Sequence, residues 1–134
     1  MRAPRLIIAM SLVLVPVAGC SSRQPELPDR AAPAVRAEEA RVAALLGADT
    51  SILGGQSQCR VRLLGQEAGA SFVWATCEAV DPPHTGISAP LRVEDAEVTV
   101  PGDGAAFSQT VREMFPEALA DFVLSNQDSP EVRP

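Results

Sequence analysis

The chain has 134 residues, 11 of them arginine and none lysine, against 17 acidic residues, for a net charge of −6; 46% of it is apolar. That length fits one domain with a modest core and is too short for two. No basic cluster interrupts the acidity, so the body is repelled by nucleic acid and nucleic-acid binding is excluded as its function.

The chain opens with a basic stretch, Met1-Arg2-Ala3-Pro4-Arg5, followed by an apolar run from Leu6 to Ala18. The run falls short of the roughly 20 apolar residues that span a bilayer. Its length and flanks instead suit the hydrophobic region of a secretory signal. It closes on Val17-Ala18-Gly19-Cys20, which resembles the lipobox of bacterial lipoproteins at all four positions. That resemblance implies cleavage of residues 1–19 as a signal peptide and a diacylglyceryl group on the Cys20 sulfur. It also implies a membrane partner reached through the lipid, on the extracytoplasmic face of the cell membrane. In a Gram-negative host it implies the outer membrane, since Ser21 and not an aspartate follows the cysteine. Each buried methylene contributes about 0.8 kcal/mol, so two or three acyl chains on one residue make release negligible.

Residues 20–33 are polar and carry three prolines, which predicts a flexible linker. Such a segment reaches about 20–40 Å and lifts the domain off the membrane, with Leu27 too little apolar surface to fold it. A single domain is predicted over residues 34–126. Ala34 to Leu46 reads as a helix, rich in Ala and Glu, with Pro33 at its start and Gly47 at its end. Residues 48–58, with Gly54-Gly55, read as a loop that holds at most a short strand or turn near Ile52-Leu53.

Cys59 and Cys77 are the two cysteines left after Cys20. An even pair outside the cytoplasm predicts a disulfide, and with His84 the only histidine there are too few partners for a metal site. Between them lie two strand-like runs, Arg60–Leu64 and Ser71–Thr76, separated by a turn over Gly65–Gly69. A hairpin centred on Ala68 sets Cys59 opposite Cys77, Val61 opposite Ala75 and Leu63 opposite Val73. Its other face pairs Arg60 with Thr76, Arg62 with Trp74 and Leu64 with Phe72. Facing side chains at that spacing suit a bridge, and Arg62 over Trp74 makes a cation–π contact of about 0.5–2 kcal/mol.

Two more strands follow the loop Asp81–Gly86: Ile87–Val93, with Pro90 marking an edge or bulge, and Ala96–Val100. Asp103 is placed to cap the last element. There Phe107, Val111, Met114 and Phe115 form one helical stripe that continues through Leu119, Phe122 and Val123 beyond Pro116. This is a kinked helix, or two helices with Pro116 in the first turn of the second. Residues 127–134 read as a disordered polar tail. The order of elements predicts an α+β domain: an N-terminal helix, a four-stranded antiparallel sheet and a kinked C-terminal helix packed on one face, as two layers. Which sheet face lies under the helices stays open, because the Trp74 face offers more apolar area but also two arginines.

Chemistry is thinly signalled. His84 lies in a proline-rich loop with Asp81, a turn former, as its nearest acid in sequence. Glu94, Asp95, Glu97 and Asp103 bind calcium only if the fold gathers them, and otherwise form a solvated face. Trp74, Phe107, Phe115 and Phe122 read as core. From Phe72 to Pro116 the segments Val73-Trp74-Ala75-Thr76-Cys77, Ser88-Ala89-Pro90, Val100-Pro101-Gly102-Asp103-Gly104 and Phe115-Pro116 resemble small uncharacterised lipoproteins of actinobacteria. That resemblance implies no activity. The expectation is a lipid-anchored extracytoplasmic domain without a catalytic residue, metal or cofactor, acting as a binding or accessory protein with a protein partner in the cell envelope. The alternatives are a carrier or sensor holding a small apolar ligand between sheet and helices, and then a hydrolytic enzyme.

Overall fold

A computed structural model describes residues 24–134; the signal segment and Cys20 lie outside the described residues. Helix α1 spans Pro33–Ala48, with proline in its first turn. The Asp49 backbone N–H closes it onto the carbonyls of Leu45 and Leu46. The Asp49 carboxylate then accepts from the Ser51 backbone N–H at 2.8 Å and starts the four-residue helix α2, Thr50–Leu53. A helical turn thus takes the place of the strand or turn expected near Ile52. It stops at Gly54, in the left-handed region that glycine tolerates.

Strands β1 (Ser57–Glu67), β2 (Ala70–Ala79), β3 (Gly86–Glu94) and β4 (Glu97–Thr99) form one antiparallel meander in the order β1-β2-β3-β4. The register from Cys59↔Cys77 through Leu63↔Val73 is the predicted one. Beyond it, a bulge between Leu63 and Gly65 sets Gly65, not Leu64, opposite Phe72. Leu64 lies in the aromatic core all the same. Gly65 is needed beside it, because a Cβ there would come within 3.2 Å of Leu119 Cδ2. The chain reverses at Ala68-Gly69, both at positive φ, as a two-residue hairpin turn requires.

The C-terminal stripe forms two helices, α3 (Phe107–Met114) and α4 (Glu117–Ser125), after a 3-10 turn at Gly104–Ala106. Pro116 forces Phe115 into extended backbone (φ −107°, ψ 152°), which separates them. The 3-10 turn begins without the Asp103 side chain: its carbonyl receives the Ala106 N–H, and Thr110 Oγ1 takes the Gly102 N–H at 2.8 Å.

The domain is α+β, with the C-terminal helices packed on one face of the sheet, but it has three layers and not two. Val61, Leu63, Val73 and Leu91 pack against Val42 and Leu46 of α1. On the opposite face Leu64, Phe72 and Trp74 pack against Val111, Phe115, Leu119 and Val123 of α3 and α4. The cause lies in β2, where Phe72-Val73-Trp74-Ala75 is apolar without alternation and buried on both faces. Phe72 and Phe115 meet edge to face at 5.1 Å.

Both ends of the chain depart from the sequence reading. Residues 127–134 do not hang free. Val132 is completely buried in the second core, and the Arg133 guanidinium lies 5.2 Å from the Trp74 ring centroid. Leu27, from the segment expected to be a linker, packs against the same cluster.

Candidate functional site

The Cys59–Cys77 disulfide is formed, closing β1 onto β2 across 18 residues. Bridges of this kind belong to proteins outside the reducing cytoplasm. Among the described residues no helix is long and apolar enough to cross a membrane.

The densest polar arrangement lies where the two chain ends meet the sheet. Arg62 sits on β1 with 4% of its surface exposed. Its guanidinium donates to the Pro28 carbonyl at 2.9 Å and to the Glu131 carbonyl at 3.2 Å. The third nitrogen, Nη1, is buried without a hydrogen bond; Glu39 Oε1 lies 3.6 Å away and already accepts the Leu63 N–H at 2.8 Å. Arg30 reaches the carbonyls of Pro130, Glu131 and Arg133. Arg133 in turn donates to the Gln127 carbonyl at 2.6 Å and to Asp128 at 3.0 Å. Arg30 therefore straps residues 28–30 to the C-terminal carbonyls, Arg62 fixes both segments to the sheet, and Arg133 folds the C-terminal segment on itself. A buried guanidinium needs acceptors on every side, and main-chain carbonyls supply them where water does not reach. Arg62 consequently does not stack on Trp74, as its cross-strand position had suggested; Arg133 takes that place.

Burial, and then the positive charge of Arg30, lower the pKa of Arg62, while Glu39 and Asp29 pull it up. An open cleft of about 590 Å³ runs beside this clasp, lined by Leu27, Pro28, Arg30, Arg62, Phe122 and Glu131 among others. A second groove of about 500 Å³ lies on the other side of Gln24-Pro25, against Ala118, Phe122, Ser125 and Asn126. Apart from Arg62 Nη1 and the Arg133 bond to the Asp128 carboxylate, the guanidinium donors named above are directed at main-chain carbonyls, and an arginine is too weak an acid to exchange protons near neutrality. The clasp is suited to fastening, not to proton transfer or nucleophilic attack.

A second polar group joins α1 to the hairpin. Ser71 Oγ donates to Glu38 Oε1 at 2.7 Å, and Arg41 grips the same carboxylate at 2.7 and 2.9 Å. A serine on a carboxylate resembles an activated nucleophile. However, the Arg41 hydrogen bond holds Glu38 below its ordinary carboxylate value, which makes it a poor base, and Ser71 is buried. Next to this group, Glu39 takes the Leu63 N–H on the free side of β1, an edge strand whose open amides would otherwise invite pairing.

Of the other residues singled out in the sequence, Glu94 and Glu97 face each other across the β3–β4 turn. His84 is exposed on the β2–β3 loop with a left-handed backbone. Glu94 pairs with Arg92, and the Asp95 carbonyl receives Arg41 at 3.5 Å. Among the described residues no group of three or more His, Cys, Asp or Glu is arranged to hold a metal ion. Trp74 and Phe115 are core, whereas Phe107 and Phe122 are half-buried; Phe122 lines both grooves. The space between α1 and the sheet, and between the sheet and α3–α4, is occupied by fully buried side chains such as Val42, Leu46, Val73, Val111 and Val123.

Comparison with protein-family models, with curated proteins and with solved structures gave no match.

Proposed function

We propose that the chain is a bacterial lipoprotein whose α+β domain works outside the cytoplasm as a binding or accessory protein of the cell envelope. Its acyl group sits on Cys20 and its signal peptide covers residues 1–19. The sequence Val17-Ala18-Gly19-Cys20, closing an apolar run behind a basic start, carries this reading. The Cys59–Cys77 bridge supports it, because such pairs persist in oxidising surroundings. The side chains that fill both sheet–helix interfaces weigh against a carrier with its ligand between those layers, and the exposed, isolated His84 weighs against a histidine-based hydrolase.

Intact-mass measurement of the native protein tests the anchor. The expected product begins at Cys20 and carries diacylglycerol. Cys20→Ala is expected to accumulate as unacylated precursor. A native protein that retains residues 1–19, or a Cys20→Ala variant still labelled by a fatty-acid analogue, refutes the reading. Crosslinking in intact cells then identifies the envelope partner by mass spectrometry.

A further inference from the structure

We infer that the surface around Gln24, Pro25, Ala118, Phe122, Ser125 and Asn126 rests against the headgroup layer of the membrane. The inference builds on the Cys20 anchor proposed above, and the observation that carries it is that the expected linker is part of the fold. Leu27 packs into the second core. The Pro28 carbonyl is held by Arg62 at 2.9 Å. Asp29 turns the chain, its carboxylate taking the Ala31 N–H at 2.9 Å and its carbonyl the Ala32 N–H at 3.0 Å. Arg30 is tied to the C-terminal carbonyls. The described fold therefore begins only four residues after Cys20, and four residues reach at most about 14 Å however they are arranged.

A domain of this size has a radius of gyration of about 13 Å. A sphere with that radius of gyration is about 34 Å across, and a reach of about 14 Å is too short to let the body turn over, so the side from which the chain emerges must face the lipid. That side is marked by Gln24-Pro25 and the groove against α4. Pro25, Ala118 and Phe122 give it an apolar component. Glu117 and Asp121 border it and favour a zwitterionic headgroup layer over an anionic one. The domain is held close and in one orientation, not carried 20–40 Å out on a flexible arm.

The test uses the chain beginning at Cys20, disulfide intact, coupled through the Cys20 thiol to a maleimide-headgroup lipid. The coupled protein is placed in phosphatidylcholine nanodiscs doped with a gadolinium-chelate lipid. Amide signals of Ala118, Phe122 and Asn126 should broaden several-fold more than the domain average. Inserting 20 Gly/Ser residues between Arg23 and Gln24 adds about 25 Å of reach, and should return those signals to the average. Uniform broadening without the insertion, a maximum on another face, or a pattern that the insertion leaves unchanged overturns the inference. Because the coupling is chemical, an unacylated Cys20 in native material would refute the anchor and leave this measurement independent of it.

Discussion

Arg62→Ala is the most informative single perturbation of this fold. The substitution removes donors from the Pro28 and Glu131 carbonyls and the cation 3.6 Å from Glu39. Hydrogen bonds to a charged group contribute about 1.5–3 kcal/mol each, and removing one partner of a buried pair costs about 3–5 kcal/mol. Relief of the buried, unpartnered Nη1 offsets part of this. The expected net loss is about 3 kcal/mol, with Arg62→Met losing less because its stem still fills the site. Urea unfolding followed by the fluorescence of Trp74, which is 2% exposed, reads the loss as a lower midpoint at unchanged slope. Amide exchange should quicken at residues 28–32 and 129–133 before the rest of the domain. If Arg62→Ala and Arg62→Met both unfold at the wild-type midpoint, water satisfies those carbonyls equally well and the clasp contributes nothing to stability.

Other expectations follow from the same contacts. Replacing Cys59 and Cys77 together by serine should cost about 3 kcal/mol from the entropy of an 18-residue loop, and a melting temperature unmoved by reduction would contradict this. Gly47→Ala would normally stabilise a helix by about 1 kcal/mol. Here the added Cβ would lie 2.8 Å from the Ser57 carbonyl oxygen, so thermal melting should show destabilisation, and a higher melting temperature would mean that α1 can move away from β1. Glu38 has its folded-state pKa lowered, chiefly by Arg41, so its pairing stabilises the fold above its ordinary value of 4.5. That contribution is lost as the pH falls through the lower folded value, because the unfolded chain takes up the proton first. Glu38→Gln should flatten this part of the stability–pH profile below about pH 4.5, and an unchanged slope would remove Glu38 from the acid response.

The local patterns of the chain were legible because they are repeated and short-range. Pro33 and Gly47 bracket α1, alternation and the cysteine spacing set the β1–β2 register, and the Phe107–Val123 stripe marks the C-terminal helices. The bulge was not legible, because Leu64-Gly65 differs from a regular pair only through Leu119, which arrives from α4. The number of layers was misjudged although Phe72-Val73-Trp74-Ala75 announced burial on both faces. The arginine clasp left almost no trace. Arg30, Arg62 and Arg133 look like scattered surface charges, and their acceptors are carbonyls, which every residue possesses. Leu27 reads as a single apolar residue in a polar, proline-bearing segment, yet it is half-buried against the second core, and Val132 in the polar tail is fully buried there, both by partners distant in sequence.

The clasp also decides how the molecule takes a load. A pull applied at Gln24 meets the Pro28–Arg62 and Arg30 bonds before it meets any β-ladder. The first event under force is then the peeling of residues 24–32 while the sheet stays whole. Val132, fully buried in the second core, fastens the other half of this same joint, so a change there would loosen residues 24–32 as well.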